Sequence, residues 1–247
     1  MLILYTILAF IFVFILNNTF LATYCRLAKK RDRVIQKRRT TEASKVTLIP
    51  DTTSETSGKK SKRLIRTLDS YFYGWTRYCA IQIGKFPSNG IRNRMFRFIF
   101  GMEATNKTVI NGGCELRSPW NIKADNCVIG NNCLLDGRFG IEIGNYVVFG
   151  ADVRIWTMEH DVQDPWFRVT ADHALPVKIG DRAWICSGAS ILPGICIGEG
   201  AVVASRACII KDCEEFSIYG GVPAKRIGSR NQDLKYTLSG KPTWRFY

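Results

Sequence analysis

Residues 178–212 read KIGDRAWICSGASILPGICIGEGAVVASRACIIKD. Within them Ile179, Ile185, Ile191, Ile197, Val203 and Ile209 fall six residues apart without a slip. Six is a multiple of the strand period of two and does not match the 3.6 of a helix, yet one strand this long would far exceed the usual 3 to 10 residues or so. The chain must therefore turn at regular intervals and return one aliphatic side chain inward each time, which describes a solenoid of short parallel strands. A second register runs through the same stretch: Ala183, Ala189, Ile195, Ala201 and Ala207 each follow an aliphatic position by four. Small side chains suit a tight interior corner, and Gly180 and Gly198 stand where the backbone bends.

Upstream the period loosens. Ile110, Leu116 and Ile122 keep it, as do Ile129, Leu135 and Ile141 after a one-residue slip, and Ile143, Phe149 and Ile155 after a two-residue slip. It then breaks from Thr157 to Lys178, a segment with Pro165, Pro176 and both histidines of the protein, His160 and His173. This reads as a loop thrown out of the solenoid, and long loops in compact domains are commonly functional.

The N-terminal part is different in kind. Residues 1–24 are uncharged and mostly apolar, long enough as a helix to span about 30 Å of hydrocarbon. A cleaved signal peptide is the rival, but no basic residue precedes the apolar run and no small-x-small site precedes Cys25, so an uncleaved anchor is expected. The charge begins at Arg26: fourteen Lys and Arg against four acids up to Arg66, about +10 of the chain's net +14. Basic residues directly after an apolar span predict that the rest of the chain stays on the cytoplasmic side of an inner membrane and is drawn to anionic headgroups. Nucleic-acid binding has only this charge in its favour, with no motif beside it. The Ser/Thr/Lys-rich stretch that follows reads as a flexible linker. In GIRNRMFRFIFGM the spacing of Ile91, Met95, Phe98 and Met102 predicts an amphipathic helix whose apolar face caps the next domain. The expected organisation is an anchor over 1–24, a basic linker over 25–63, an amphipathic helical region over 64–104, a β-helix domain over 105–230 and a tail over 231–247. Nine cysteines, an odd number without a Cys-x-x-Cys pair, read as reduced core or coil residues; Cys133, Cys196 and Cys208 fall within the repeat.

With these hexads and the segment YGGVPAKRIGSR, residues 219–230, the chain resembles the hexapeptide-repeat acyltransferases over roughly Phe86 to Arg230. It is most similar there to maltose and galactoside O-acetyltransferases and to acetyltransferases of exopolysaccharide and capsule synthesis. The resemblance implies an all-β fold, a left-handed parallel β-helix with an excursion loop; the handedness comes from the family and not from the spacing. It also implies acetyl-CoA as co-substrate, no metal, a homotrimer and a sugar or lipid-linked glycan acceptor.

Acyl transfer to an alcohol needs a base at the hydroxyl, and neutral histidine suits that near pH 7. His160, in IWTMEHD where the family places its catalytic histidine, is the expected base, and His173 is expected to be incidental. Counting the slips puts Leu135 one coil below Ile155, so Asp136 lies under Trp156 and serves as a candidate partner of His160 or of the acceptor. The resemblance assigns Trp184, Ser187, Ser205, Lys211 and Lys225 to CoA binding, the lysines toward its phosphates. Cys186 replaces a glycine of the family's tryptophan turn, and Gly228 replaces a basic residue, with Arg226 or Arg230 as substitutes. Rival readings are a scaffold solenoid, which needs neither His160, Trp184 nor the VPAK segment, amino-sugar N-acetylation, and a soluble drug acetyltransferase, for which the anchor has no use. A zinc hydratase on the same solenoid would need three histidines.

Overall fold

The structure is a computed structural model that describes residues 2–41 and 59–238. Seventeen short strands wind around a triangular prism and form three sheets, one per face. The first face stacks β1 (Glu103–Ala104), β4 (Ile122–Ala124), β7 (Ile141–Ile143), β10 (Val177–Ile179) and β13 (Cys196–Ile197). The second stacks β2 (Val109–Ile110), β5 (Val128–Ile129), β8 (Val148–Phe149), β11 (Trp184–Ile185), β14 (Val202–Val203) and β16 (Ser217–Gly221), and ends with β17 (Ala224–Ser229). The third stacks β3 (Glu115–Arg117), β6 (Leu134–Asp136), β9 (Arg154–Ile155), β12 (Ser190–Ile191) and β15 (Cys208–Ile209). All pairings are parallel except β16 with β17. The chain is a parallel β-solenoid.

The hexad aliphatics are its core. On the third face Leu116, Leu135, Ile155, Ile191 and Ile209 pair in one column, all buried. Burying each such side chain contributes roughly 1.5–3 kcal/mol. In the last regular turns Ile179 pairs with Ile197, Ile185 with Val203 and Ile191 with Ile209, each eighteen residues on, so three hexads close one coil.

The earlier slips share one place. Leu116 to Ala124 and Leu135 to Ile143 each take eight residues, Ile155 to Ile179 takes twenty-four and Ile191 to Ile197 takes six. All extra residues enter at the corner between the third and first faces, as 3-10 turns at Pro119–Asn121 and Gly137–Phe139 and then as the excursion loop. The slips after Ile122 and Ile141 therefore need correcting. These two side chains pair with each other as a second inward position on the first face, while Ala124 and Ile143 carry the column. Before the loop, the one shortening lies between Ala124 and Ile129.

The helix α1 (Leu2–Thr41) contains neither Gly nor Pro and carries on through the basic run, so residues 25–41, expected as linker, are helical; the rest of that stretch up to residue 58 lies outside the described residues. From Leu4 to Leu16 its side chains are exposed all round. Among the described residues it is the one helix long and apolar enough to cross a membrane. From Phe20 onward it packs on the body, with the Phe20 and Phe72 rings 5.1 Å apart, and Lys29, Arg31 and Arg33 are paired with Glu103 and Asp69.

The helices α2 (Lys59–Gly84) and α3 (Asn89–Phe98) close the first coil. The Gly113 amide donates to the Gly84 carbonyl, where a Cβ would meet the Cys114 carbonyl oxygen. The face of α3 differs from expectation. Ile91 and Phe98 are exposed, and the buried face carries Arg92, Asn93 and Phe96. Arg92 is 0% exposed because its guanidinium donates to the Ile110 and Phe86 carbonyls, and a charge buried with such partners costs far less than one without. The cysteines are all free; Cys133 is in the core as expected, but Cys196 is exposed and Cys208 half-buried on outer faces.

Candidate active site

The excursion loop leaves β9 at Trp156 and returns at Pro176, closed at its base by the Leu175 amide on the Thr157 carbonyl. Two further backbone bonds, Glu159 to His173 and Asp161 to Arg168, carry the pairing outward and place His160 between them. The imidazole is exposed. Its Nδ1 lies 2.6 Å from the Phe167 carbonyl oxygen, and the ring stacks flat on the Phe167 ring at 4.4 Å. A carbonyl oxygen only accepts, so Nδ1 carries the hydrogen and Nε2 of the neutral ring holds the free lone pair. With Nδ1 so engaged, the side chain can accept a proton at Nε2. His173 is tied differently, Nδ1 to the Thr170 hydroxyl at 2.8 Å.

Asp136 is 0% exposed and lies one coil below the start of the loop, Leu135 pairing with Ile155. Its carboxylate is engaged by Arg138, with Nη2 on Oδ2 at 2.6 Å and Nε on Oδ1 at 2.8 Å, and it caps the 3-10 turn through the Arg138 amide. Such a bidentate pair, set in a corner, fixes both groups. Thr157 connects this corner to the loop: its hydroxyl donates to the Asp136 carbonyl at 2.6 Å and accepts from the Phe139 amide at 3.1 Å. Over the top, Arg117 lies 5.3 Å from the centre of the Trp156 ring and bonds Glu115. Burial raises the Glu115 carboxyl's pKa, but Arg117 and Arg77 outweigh that and hold it below the ordinary value. Within the chain, Asp136 belongs to the wall beneath the loop, and what orients His160 is the Phe167 carbonyl. No sequence signal marked Arg138, Thr157 or Phe167 for these roles.

The residues assigned to the donor fall into two groups. Trp184, 48% exposed, stands on β11 between Val148 and Val202, and Ser187 follows at the corner of the second and third faces. Ser205 occupies the same corner one coil on, the Arg206 amide donating to the Ser187 carbonyl. Gly150 lies directly beneath, where a Cβ would meet the Ser187 amide nitrogen at 2.5 Å. Lys225, on β17 opposite Gly220, extends the same sheet. Lys211 is apart from these, following β15 at the corner that also bears Asp136 and the loop. Arg226 bonds Ser217 and Ser229, and Arg230 bonds the Arg182 and Gly200 carbonyls. Among the described residues no group of three His, Cys, Asp or Glu is placed to hold a metal ion.

A cavity of 650 Å³ opens at the corner of the loop, between Lys29, Arg33 and Gln36 of α1, Lys178 of the first face and Leu175 and Pro176 of the loop's return. Neither His160 nor Trp184 lines it.

Residues 176–211 match the family described as bacterial transferase hexapeptide (six repeats). It is 36% identical to a chloramphenicol acetyltransferase of Agrobacterium fabrum over 49% of this chain and 60% of the relative. It is 27% identical to the putative colanic acid biosynthesis acetyltransferase WcaF of Escherichia coli over 53% of this chain and 71% of that protein. A hexapeptide-repeat containing acetyltransferase of Vibrio cholerae, solved with acetyl coenzyme A, superposes with a TM-score of 0.57 and 21% identity over 72% of this chain and 94% of the other. The chain spans between 31% and 60% of the length of the first four curated relatives it matches.

Proposed function

We propose that the protein transfers an acetyl group from acetyl-CoA to a hydroxyl of a sugar in a surface-polysaccharide precursor. The observation that carries this reading is the contact of His160 Nδ1 with the Phe167 carbonyl oxygen, a partner that only accepts, which leaves Nε2 to act as a base. Nε2 takes the proton of the acceptor hydroxyl as its oxygen attacks the thioester carbonyl carbon. The tetrahedral intermediate collapses, the C–S bond breaks, and the departing thiolate takes the proton back from Nε2. No covalent enzyme intermediate and no metal is needed. The acetyl-CoA bound in the Vibrio protein supports the donor, and the polysaccharide role in the name of WcaF supports the acceptor class.

The site is completed by a second copy of the chain. Ser187 and Ser205 stand at the corner of the second and third faces, whereas the loop with His160 leaves the corner of the third and first. A threefold axis brings unlike corners of neighbouring prisms together, so a homotrimer places the donor corner of one protomer against the histidine corner of the next. In this reading Trp184, Ser187, Ser205, Lys211 and Lys225 hold CoA, and Asp136 with Arg138 forms the wall facing the acceptor. The apolar half of α1 anchors the protein in the inner membrane with the solenoid on the cytoplasmic side, within reach of a lipid-linked glycan. Its Asn18 and Thr19 are compatible with that setting, since both side chains donate to carbonyls one turn back, Phe14 and Ile15.

The chloramphenicol acetyltransferases among the relatives favour a second reading with a small alcohol as acceptor and the same chemistry. One assay separates the two. Labelled acetyl-CoA is supplied with either extracted lipid-linked glycans or chloramphenicol, to wild type and His160→Ala. Glycan labelling that falls about 10²–10⁴-fold in the variant, with CoA binding retained, supports the proposal. Labelling of chloramphenicol alone supports the second reading, and equal labelling by both proteins removes His160 as the base.

A further inference from the structure

The body of the protein carries a second apolar surface that the anchor does not explain. On α2, Leu64, Leu68, Tyr71, Trp75 and Tyr78 follow one another at four, three, four and three residues, so they form one stripe along the helix. All five are exposed, Tyr71 to 69%, while the opposite face buries Thr76 and Ala80 and packs Phe72 and Ile83 on the core. Burial of the inner face explains why α2 is a helix; nothing in the fold accounts for large apolar residues on its outer one.

Three features of the stripe indicate what covers it. It adjoins the point where the apolar half of α1 leaves the body, since Trp75 Nε1 donates to the Asn17 side chain at 3.0 Å. Its composition is graded, with leucines at one end and Tyr71, Trp75 and Tyr78 at the other; aromatic rings with polar tips belong at a boundary between water and hydrocarbon. A seam between two protein helices would instead favour branched aliphatics throughout. Its charge is one-sided as well. Arg63 and Arg66 are exposed beside it, and the single acid of α2, Asp69, is turned to Arg31 of α1. Cations flanking an apolar stripe match anionic headgroups.

We propose that the outer face of α2 lies in the headgroup layer of an anionic bilayer, as a second contact beside α1. One helix alone leaves a domain free to swing about its tether. Two contacts, joined at Asn17 and Trp75, hold the first coil toward the membrane. This inference rests on the reading of α1 as an anchor, and the test separates the two.

Full-length protein is reconstituted in nanodiscs containing phosphatidylglycerol, with benzoylphenylalanine replacing Tyr71, Phe10 or Lys178 singly, and irradiated. Lys178 lies on the solenoid's first face and serves as the aqueous control. The expected result is a lipid adduct from positions 10 and 71 and none from 178. A lipid adduct at 10 with a protein–protein adduct at 71 overturns this inference and leaves the anchor standing, as does an adduct at 10 with none at 71. No lipid adduct at either position overturns both. A melting curve unchanged from wild type verifies the fold of each variant, and Leu68 probed in place of Tyr71 gives the same answer should one substitution disturb it.

Discussion

The lower and upper halves of the solenoid obey the same repeat but handle one corner differently. From Ile179 to Ile209 each coil closes in eighteen residues, and the passage from the third face to the first is a plain turn, Leu192 to Ile195. Below it that passage always holds extra residues: Pro119–Asn121, then Gly137–Phe139, then the loop with His160. The regular half needs its corners only for stacking, whereas the irregular half uses one corner to carry polar side chains. Extra length is admitted there because a solenoid contacts itself only between neighbouring coils, so an insertion at a corner leaves the ladders above and below intact.

The strongest way to break that contrast is to regularise the irregular corner. Removing residues 158–175 subtracts eighteen and leaves Ile155 to Ile179 at six, the spacing of Ile191 to Ile197. The shortened protein is expected to fold and trimerise, with transfer lost by at least the 10²–10⁴-fold or so assigned to the base. Circular dichroism and the labelled acetyl-CoA assay check it; a deletion variant that still transfers would show that the loop is dispensable.

The reverse experiment damages the regular half. Ile185 is fully buried between Phe149 and Val203, and Ile185→Ala is expected to cost about 2–5 kcal/mol through lost burial and a residual cavity. Denaturant midpoints measure it. Activity per folded molecule should change little, in contrast with the loop deletion.

A third substitution sharpens the boundary between the halves. Thr157→Val keeps the shape but leaves the Phe139 amide without its acceptor and the Asp136 carbonyl without its donor, at a cost of about 1–3 kcal/mol. Since Thr157 ties the loop base to the corner of Asp136, transfer should fall along with stability. Unchanged transfer at an unchanged melting point would show that the loop base and the turn of Asp136 are not coupled.

How much of this was legible depended on whether the cause was local. The regular half could be read because every hexad shows its aliphatic and its small residue in sequence. In the irregular half Ala124 hides a column position behind a methyl group, while Ile122 and Ile141 advertise themselves as hexad residues though they belong to the widened corner. The face of α3 was misjudged for a related reason. Ile91 and Phe98 look like a packing face, but Arg92 is drawn inward by the Ile110 and Phe86 carbonyls, which no local pattern reveals. His160 and Asp136 are proposed as site residues from motif and register. The groups they touch, Phe167 for one and Arg138 for the other, depend on how the loop and the turn close.

The smallest expected effect concerns the join between α1 and the solenoid. Glu103 accepts from Lys29 at 2.6 Å and Arg33 at 2.9 Å. The Lys29 hydrogen bond leads in holding its carboxyl below the ordinary value, against the opposing pull of burial. A carboxyl depressed in the folded state contributes stability above its unfolded pKa and loses it as pH falls through the lower, folded value. The join should therefore hold at neutral pH and weaken only below the normal range of a glutamate. Glu103→Gln removes the charge at every pH, and for a partly exposed pair the cost is about 0–1 kcal/mol. Amide hydrogen exchange in residues 24–36 of α1 should rise in the variant at pH 7, and rise in the wild type only on acidification. Equal protection in both proteins at neutral pH would mean that the packing of Phe20 on Phe72 and the Arg31–Asp69 pair hold the helix without Glu103.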